Sequence, residues 1–521
     1  MNLYPTNTTR TLVLVAVIAV IVAALSKEPI AMIWMGSILV GTTLVRAIAS
    51  FKVAAARRQG FEMHLASSAR KYNVTRTEPF ELEIALRNQS DLSLQVRDLR
   101  VLCSPSLEVH VNVNEAQIAA HSSLNVKLVG KATRVGYGTI HGLFLRLLHS
   151  SGAFEAPLVF FNPIQFIAYP ATTARAARPS GGGLSRHPSD ADRSGRMSGD
   201  SIELRELRAH QPGDALRKIA WKASARRGTL LVRDEELMER QTLWVLLDAS
   251  TELWGGEVGK SPLDEGVDRV ASVLHKYVAL GDRVGLGVLS SRILFWTKPD
   301  KGLSHWMRMR SGLVMAAQLW DADRSGCDEL DTARIVFEHL SRLDPSTVRN
   351  VAASDIDRIA AIASNILERY ELEVPDAYAA QSRERQLRKY AATFGLSLPP
   401  RLEAERWQTD NQLLLAIDQI VTAKPSRIIV CSVEPTTSFL QGLTGQRRKM
   451  AQRRVRLSWL ALDPTAGMPD AANFHQRAVN DSLAWQAWGS KYKSLARLKR
   501  AGIGIEPLPP LRSRLDREES P

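Results

Sequence analysis

A glycine-rich segment that carries a lysine and a serine, Gly255-Gly-Glu-Val-Gly-Lys-Ser261, is the residue set best suited to cradling a phosphate. Gly255 and Gly259 are one residue too close for P-loop spacing, so ATP binding is not expected. The sequence holds no HExxH, no GxSxG and no cysteine with a histidine partner nearby, and its 11 histidines are scattered. We therefore predict that the chain is not an enzyme.

Basic residues and one tryptophan form a second candidate. Pro212 and Gly213 set a turn, and Asp214 is placed to cap a helix over Ala215–Ala223. A basic patch anchored by Trp221 is typical of a protein interface. The alternative, in which Trp221 packs in the core and the charges form a solvated face, stays open. The basic residues of this segment are Arg217, Lys218, Lys222, Arg226, Arg227 and Arg233.

The chain as a whole is also basic. Lysine and arginine number 68 against 54 aspartate and glutamate, which gives a net charge of +14. Acidic headgroups, an acidic protein or nucleic acid would each complement this charge. Nucleic acid is not expected, because the basic segment lacks interleaved aromatics and a known reading motif. No small-molecule substrate is predicted. The three cysteines form no CxxC pair, which favours a reducing compartment.

Two uncharged apolar runs, at about 11–25 and 30–45, open the chain. Each is slightly shorter than the roughly 20 residues that cross a bilayer, although flanking polar side chains can snorkel. The sequence therefore predicts a transmembrane helical hairpin within residues 1–58. Basic residues at both outer ends outnumber the lone Lys27 between the runs, which predicts a multi-pass protein of the plasma (inner) membrane with its body in the cytoplasm.

Residues 61–170 alternate apolar and polar side chains, as at Phe80, Leu82, Ile84 and Leu86, and predict an all-β sandwich. Residues 171–198 have the composition of a linker.

Apolar runs without alternation follow the linker, with helix-forming sequence between them. They predict a doubly wound α/β domain over residues 199–511, followed by a polar tail at 512–521. Within that domain, residues 303–421 are almost all helix-compatible and indicate a helical insertion. The apolar runs lie at 243–247, 284–289, 428–433 and 455–462.

The stretch from Gly199 to Gly228 is the most distinctive in the chain. In it, Arg205-Glu-Leu, Pro212-Gly-Asp214, Arg217-Lys-Ile-Ala-Trp-Lys222 and Ala225-Arg-Arg-Gly228 follow in order. This order closely resembles the signature of a bacterial family known as domain of unknown function 58, whose members carry a von Willebrand factor type A-like domain. A weaker echo stands at Arg134-Val-Gly-Tyr-Gly138. The predicted partner-binding residues are Arg205, Pro212, Gly213, Asp214, Arg217, Trp221, Lys222 and Arg226.

The resemblance also implies a cation site. Type A domains hold a divalent cation through Asp-x-Ser-x-Ser after the first strand, and the corresponding segment here contains Asp248, Ser250 and Glu252. Hydroxyl and carboxylate oxygens suit Mg²⁺. Glu252 replaces the second serine, and Val433 stands where a later loop usually supplies aspartate, so that only Glu434 or Ser304 could take its place. The expected site is therefore degenerate, weak or vestigial.

Three functions are consistent with these features. The first is a membrane-anchored, non-catalytic scaffold or adaptor, for which the resemblance implies a MoxR-type AAA+ ATPase as partner. The alternatives are a metal-dependent hydrolase that uses Asp248, Glu252 and Glu434, and a surface adhesin whose body lies outside the cell.

Overall fold

The computed structural model of the protein describes residues 4–25, 29–65, 69–148, 154–172, 204–211, 219–235, 242–317, 319–401, 405–463, 468 and 473–506.

The two N-terminal apolar runs form helices, and these correct the membrane prediction. After the short strand β1 (Tyr4–Pro5), α1 covers Asn7–Leu25 and α2 covers Pro29–Gln59. Within the described part of the chain, neither these nor any other helix is both long and apolar enough to cross a bilayer. In α1 a polar first turn shortens the apolar part, and α2 continues well beyond its apolar run into basic sequence. The predicted transmembrane hairpin and multi-pass plasma-membrane localisation are therefore wrong.

An all-β region follows, with two packed layers whose strands pair antiparallel except for the parallel pair β3 and β10. One sheet has the order β1-β10-β9-β5-β7, with β3 also pairing β10, and the other has the order β2-β4-β8-β6. In β8, Val126 and Leu128 are fully buried while Asn125 and Lys127 are exposed, as the alternation predicts. The strands are β2 (Phe61–Leu65), β3 (Lys71–Thr75), β4 (Pro79–Asn88), β5 (Leu94–Cys103), β6 (Leu107–Val111), β7 (Ala116–Ile118), β8 (Ser122–Ala132), β9 (Gly136–Leu148) and β10 (Phe154–Tyr169).

A small unit then precedes the second large sheet. Strand β11 (Leu204–Ala209) pairs antiparallel with β12 (Leu231–Glu235), and the short helix α3 (Trp221–Arg227) lies between them in the chain.

The second large sheet has six strands in the order β15-β14-β13-β16-β17-β18, parallel except for β15. Side chains of the central strand alternate between two cores: Val245 and Leu247 face one, and Trp244 and Leu246 face the other. Helices cover both faces, which is how a doubly wound sheet buries its strands. The strands are β13 (Thr242–Asp248), β14 (Arg283–Leu289), β15 (Ile293–Asp300), β16 (Arg427–Ser432), β17 (Arg456–Ala461) and β18 (Gly504–Glu506).

The helices of this half divide into sheet-covering helices and a separate cluster. Buried side chains of α4 and α5 pack on one face of the sheet, and those of α9, α10 and α11 pack on the other. Among the described helices, α6, α7 and α8 instead share a core of their own. The ends of the expected insertion at 303–421 are thus part of the α/β layer. The helices are α4 (Pro262–Ala279), α5 (Leu303–Val314), α6 (Glu329–Leu343), α7 (Ile356–Arg369), α8 (Ser382–Thr393), α9 (Glu405–Thr422), α10 (Thr437–Gln452) and α11 (Phe474–Arg500).

Arg134 of the sandwich hydrogen-bonds to residues of the α/β domain. Arg134 Nη2 donates to Asp264 Oδ2 at 3.0 Å and to Ser261 Oγ at 3.2 Å, and its guanidinium lies 4.6 Å from the centre of the Trp254 ring. Ser261 and Asp264 form the capping box of α4. Arg134, the first residue of the Arg134-Val-Gly-Tyr-Gly138 motif, therefore binds the N-terminus of the sheet-covering helix α4.

A buried histidine pair joins the sandwich to the helical cluster. His141 Nδ1 lies 3.2 Å from His339 Nε2, Tyr390 Oη lies 3.1 Å from His339 Nδ1, and His141 Nε2 lies 3.0 Å from the carbonyl oxygen of Phe394. With both rings neutral, the Tyr390 hydroxyl donates to His339 Nδ1. His339 Nε2 then donates to His141 Nδ1, and His141 Nε2 donates to the carbonyl of Phe394. Burial lowers the pKa of His141 to about 4 and that of His339 to about 2.

The histidine pair predicts acid sensitivity. As pH falls below the ordinary histidine pKa, the unfolded chain takes up protons that the folded chain does not, so stability falls with pH. Each histidine contributes roughly 2 kcal/mol to that loss between about pH 7 and about pH 5. We expect His339→Phe, which removes one titrating ring, to flatten the fall of the thermal unfolding temperature measured by calorimetry across this range.

The matched control is His110→Phe at an exposed position of β6, which should keep the wild-type pH dependence. An unchanged pH dependence in His339→Phe would contradict the assignment.

Candidate functional site at the edge of the central sheet

The candidate site lies where the central parallel strands end. Asp248 is the last residue of β13, is fully buried, and accepts the backbone N–H of Ser250 on Oδ1 at 2.9 Å. Ser432, the last residue of the neighbouring β16, donates its hydroxyl to Asp248 Oδ2 at 2.5 Å. Carboxyl ends of adjacent parallel strands meet at one edge, which is where open α/β sheets bind ligands.

An arginine from the first turn of α9 occupies the middle of this edge. Arg406 Nη1 lies 2.8 Å from Asp248 Oδ2 and 2.8 Å from Glu252 Oε1. Its Nη2 lies 2.7 Å from Asp410 Oδ1, one turn further along the helix, and 3.3 Å from the Ser432 hydroxyl. One guanidinium thus joins three carboxylates and both central strands.

The electrostatics of this cluster favour a permanent charge on the arginine. Burial alone lowers the pKa of Arg406, but Asp248, Glu252 and Asp410 outweigh that effect and hold the pKa above its usual value. The guanidinium side chain is only 17% exposed. Buried charges are tolerated only when partners satisfy them, so each member of the cluster depends on the others. The cluster is therefore an internal counterion arrangement in which one guanidinium lies among three carboxylates.

The arrangement does not fit Mg²⁺. Asp248 Oδ2 already accepts hydrogen bonds from Arg406 and Ser432, and a guanidinium beside it would repel a cation. Over the described residues, no three or more His, Cys, Asp or Glu side chains are grouped to hold a metal ion. The buried Ser250 hydroxyl does lack a hydrogen-bond partner there, which leaves one ligand atom available. The weak or vestigial magnesium site that the sequence suggests would therefore require Arg406 to move away from Asp248.

The three residues predicted for the metal site do come together, but their partners differ from the expected ones. Ser432 contacts Asp248, whereas the sequence suggested Glu434 or Ser304 in place of the missing aspartate, and the third carboxylate is Asp410. Arg406 and Asp410 were missed, although their i, i+4 spacing on a predicted helix was visible in the sequence. Nothing in that spacing indicates which strand end the helix faces.

The predicted partner-binding residues are elsewhere. Trp221 begins α3 and is 63% exposed, and Lys222 and Arg226 are exposed beside it. A hydrogen bond ties the buried side of α3 to strand β12, because Ser224 Oγ accepts the backbone N–H of Leu231 at 2.8 Å. In the described part of the chain, no hydrogen bond or ion pair links this surface to Asp248. Arg205 belongs to β11, and the predicted residues outside the described ranges are Pro212, Gly213, Asp214 and Arg217.

Residues 206–342 match the family model described as "Protein of unknown function DUF58", which supports the family that the sequence motifs resemble. The match says nothing about a type A-like domain or a membrane anchor. No curated protein matches the chain.

Similar solved structures include WR4, an MSP family member of C. elegans, with 10% identity, a TM-score of 0.15, and coverage of 21% of this chain and 99% of that one. A FixG-related protein from Vibrio parahaemolyticus has 12% identity, a TM-score of 0.14, and coverage of 21% and 94%. The E. coli chaperone DraB has 12% identity, a TM-score of 0.15, and coverage of 22% and 57%.

The arginine cluster predicts a large loss of stability when its cation is removed. Arg406→Met leaves Asp248 and Asp410 buried without their counterion, which should lower the free energy of unfolding by about 3 to 5 kcal/mol. Calorimetric thermal unfolding of the purified full chain measures the change. Adding Asp248→Asn to Arg406→Met should recover part of the loss, because one uncompensated charge is removed.

The matched control is Arg334→Met, which removes an exposed arginine whose guanidinium lies 3.6 Å from Asp331 on the same helix. Such a surface pair contributes about 0 to 1 kcal/mol. If the two methionine variants unfold at the same temperature, Arg406 is not the counterion of the cluster.

Proposed function

We propose that the chain is a non-catalytic scaffold or adaptor that binds a protein partner through the exposed surface of α3. We define the α3 surface by Trp221, Lys222, Arg226 and Arg227. The partner class implied by the family resemblance is a MoxR-type AAA+ ATPase, and a degenerate von Willebrand factor type A-like domain is the corresponding interpretation of the α/β layer.

The observation that carries this proposal is the exposure of Trp221 among cations. A tryptophan that is 63% exposed presents a large apolar area to water, which is unfavourable unless a partner covers it. Tryptophan and arginine are enriched among the residues that dominate binding energy at interfaces. The exposed Lys222, Arg226 and Arg227 complement an acidic partner surface.

The rigidity of α3 supports the same proposal. Ser224 Oγ both accepts from Leu231 and donates to the carbonyl of Ala220 at 3.0 Å, and Ile219 bridges Val232. Gly228 closes the helix with a left-handed φ of 68°, a conformation that suits glycine. Because these contacts fix the backbone beneath Trp221, binding would order few additional groups, which favours affinity.

The carboxyl edge of the sheet supports a role without catalysis. Asp248, Glu252 and Asp410 all form ion pairs with Arg406. A hydrolase that uses Asp248 and Glu252 would need that pairing to open.

The proposal predicts that truncating the tryptophan weakens partner binding. We expect Trp221→Ala to lower the affinity of the full chain for the MoxR-type ATPase of the same genome by at least tenfold, as for an interface hot spot of about 2 kcal/mol. Biolayer interferometry with the purified ATPase measures the affinity, and reversal of charge in Lys222→Glu should reduce it as well.

The matched control is Trp407→Ala, which truncates a tryptophan of similar exposure, 65%, on α9. Its affinity should equal that of wild type. If Trp407→Ala loses binding and Trp221→Ala does not, the docking surface lies at the sheet edge and the α3 assignment is wrong. If wild type fails to bind the ATPase, the partner assignment is wrong.

A further inference from the structure

A groove with an apolar floor separates α10 from the end of α11. Its floor includes Leu443, Met450 and Ile503, all buried, and its rim includes Thr444, Arg447 and Arg497, all exposed. We call this the α10–α11 groove. Its volume of about 370 Å³ falls within the range of small-molecule sites, roughly 300 to 1,000 Å³.

Local sequence explains why the groove stays open. Leu440, Leu443, Arg447 and Met450 recur at three- and four-residue steps and so share one side of α10. On the other side, α11 ends in a turn at Gly502, whose φ is 75°. A Cβ atom at this glycine would lie 3.3 Å from Arg447 Nη2, so the guanidinium reaches across to the turn at the end of α11.

The two arginines at the rim lack acidic partners. Across the described part of the chain, no carboxylate lies within ion-pair distance of Arg447 or Arg497. Among the neighbouring cations, Lys449 pairs with Asp418 at 2.8 Å and Arg453 donates to the carbonyl of Val421 at 2.9 Å. Two guanidinium groups with no carboxylate partner among the described residues therefore lie beside an apolar floor.

We infer that the α10–α11 groove binds an amphipathic carboxylate, a small molecule with an apolar body and one carboxylate head. The apolar body would cover Leu443, Met450 and Ile503, and the head would accept hydrogen bonds from Arg447 and Arg497. Arginine binds carboxylates through two parallel N–H groups, and these charge-assisted bonds are among the strongest in proteins. A neutral molecule of the same length would leave both guanidinium groups unpaired.

This site is separate from the proposed partner surface. None of its residues belongs to α3 or to the Arg406 cluster, so failure of either proposal leaves the other intact.

Isothermal titration calorimetry of the full chain with decanoate, below its micelle concentration, tests the inference. Wild type should bind decanoate saturably and should bind decan-1-ol about tenfold or more weakly, because the alcohol carries no charge to pair with the arginines. In Arg447→Ala/Arg497→Ala the affinity for decanoate should fall by about tenfold or more, because two charge-assisted hydrogen bonds are lost.

The matched control is Arg448→Ala/Lys499→Ala, which removes two exposed cations of the same helices that do not line the groove. It should bind decanoate as wild type does. Absence of decanoate binding, equal binding of decanol, or an equal loss in the control pair would each overturn the inference. Because all four substituted residues are exposed, circular dichroism should show unchanged folding in both double variants.

Discussion

The guanidinium of Arg406 connects parts of the chain that are far apart in sequence. Its two terminal nitrogens lie 2.7 to 2.8 Å from carboxylate oxygens of Asp248, Glu252 and Asp410. Asp248 ends the central strand, and an unpaired carboxylate at this buried position would strongly destabilise the fold. The ion pair between Arg406 and Asp248 therefore helps to fix the position of α9 over the end of the central strand β13.

A guanidinium differs from a bound metal ion in ways that matter for function. It is covalently part of the chain, it stays charged at any physiological pH, and it directs hydrogen bonds in a plane. A bound Mg²⁺ would keep an open position for water or for a partner's carboxylate. With Arg406 in place, the carboxylates at the edge of the sheet pair with a cation that belongs to the chain, and the proposed partner binding is assigned to the α3 surface.

Much of the fold was predictable because local patterns determine it. The period-two alternation of residues 61–170 indicates a sheet that is buried on one face. The continuous apolar run that ends at Asp248 indicates a strand that is buried on both faces. The cluster was only half predictable, since Asp248 and Glu252 are adjacent in sequence whereas Arg406 reaches them through tertiary packing of α9. The hairpin prediction failed because apolar runs alone overstate the membrane-crossing capacity of helices that begin or continue in polar sequence. Exposure of Trp221 was left open by the sequence, because it depends on the face of α3 that meets β12.

Calorimetric titration with Mn²⁺, carried out on the wild-type full chain and on an Asp248→Asn variant, tests most directly whether the Arg406 guanidinium takes the place of a divalent metal ion. With Arg406 bound to the carboxylates, both proteins should give no saturable heat. Saturable uptake of one Mn²⁺ by wild type that Asp248→Asn abolishes would contradict the account.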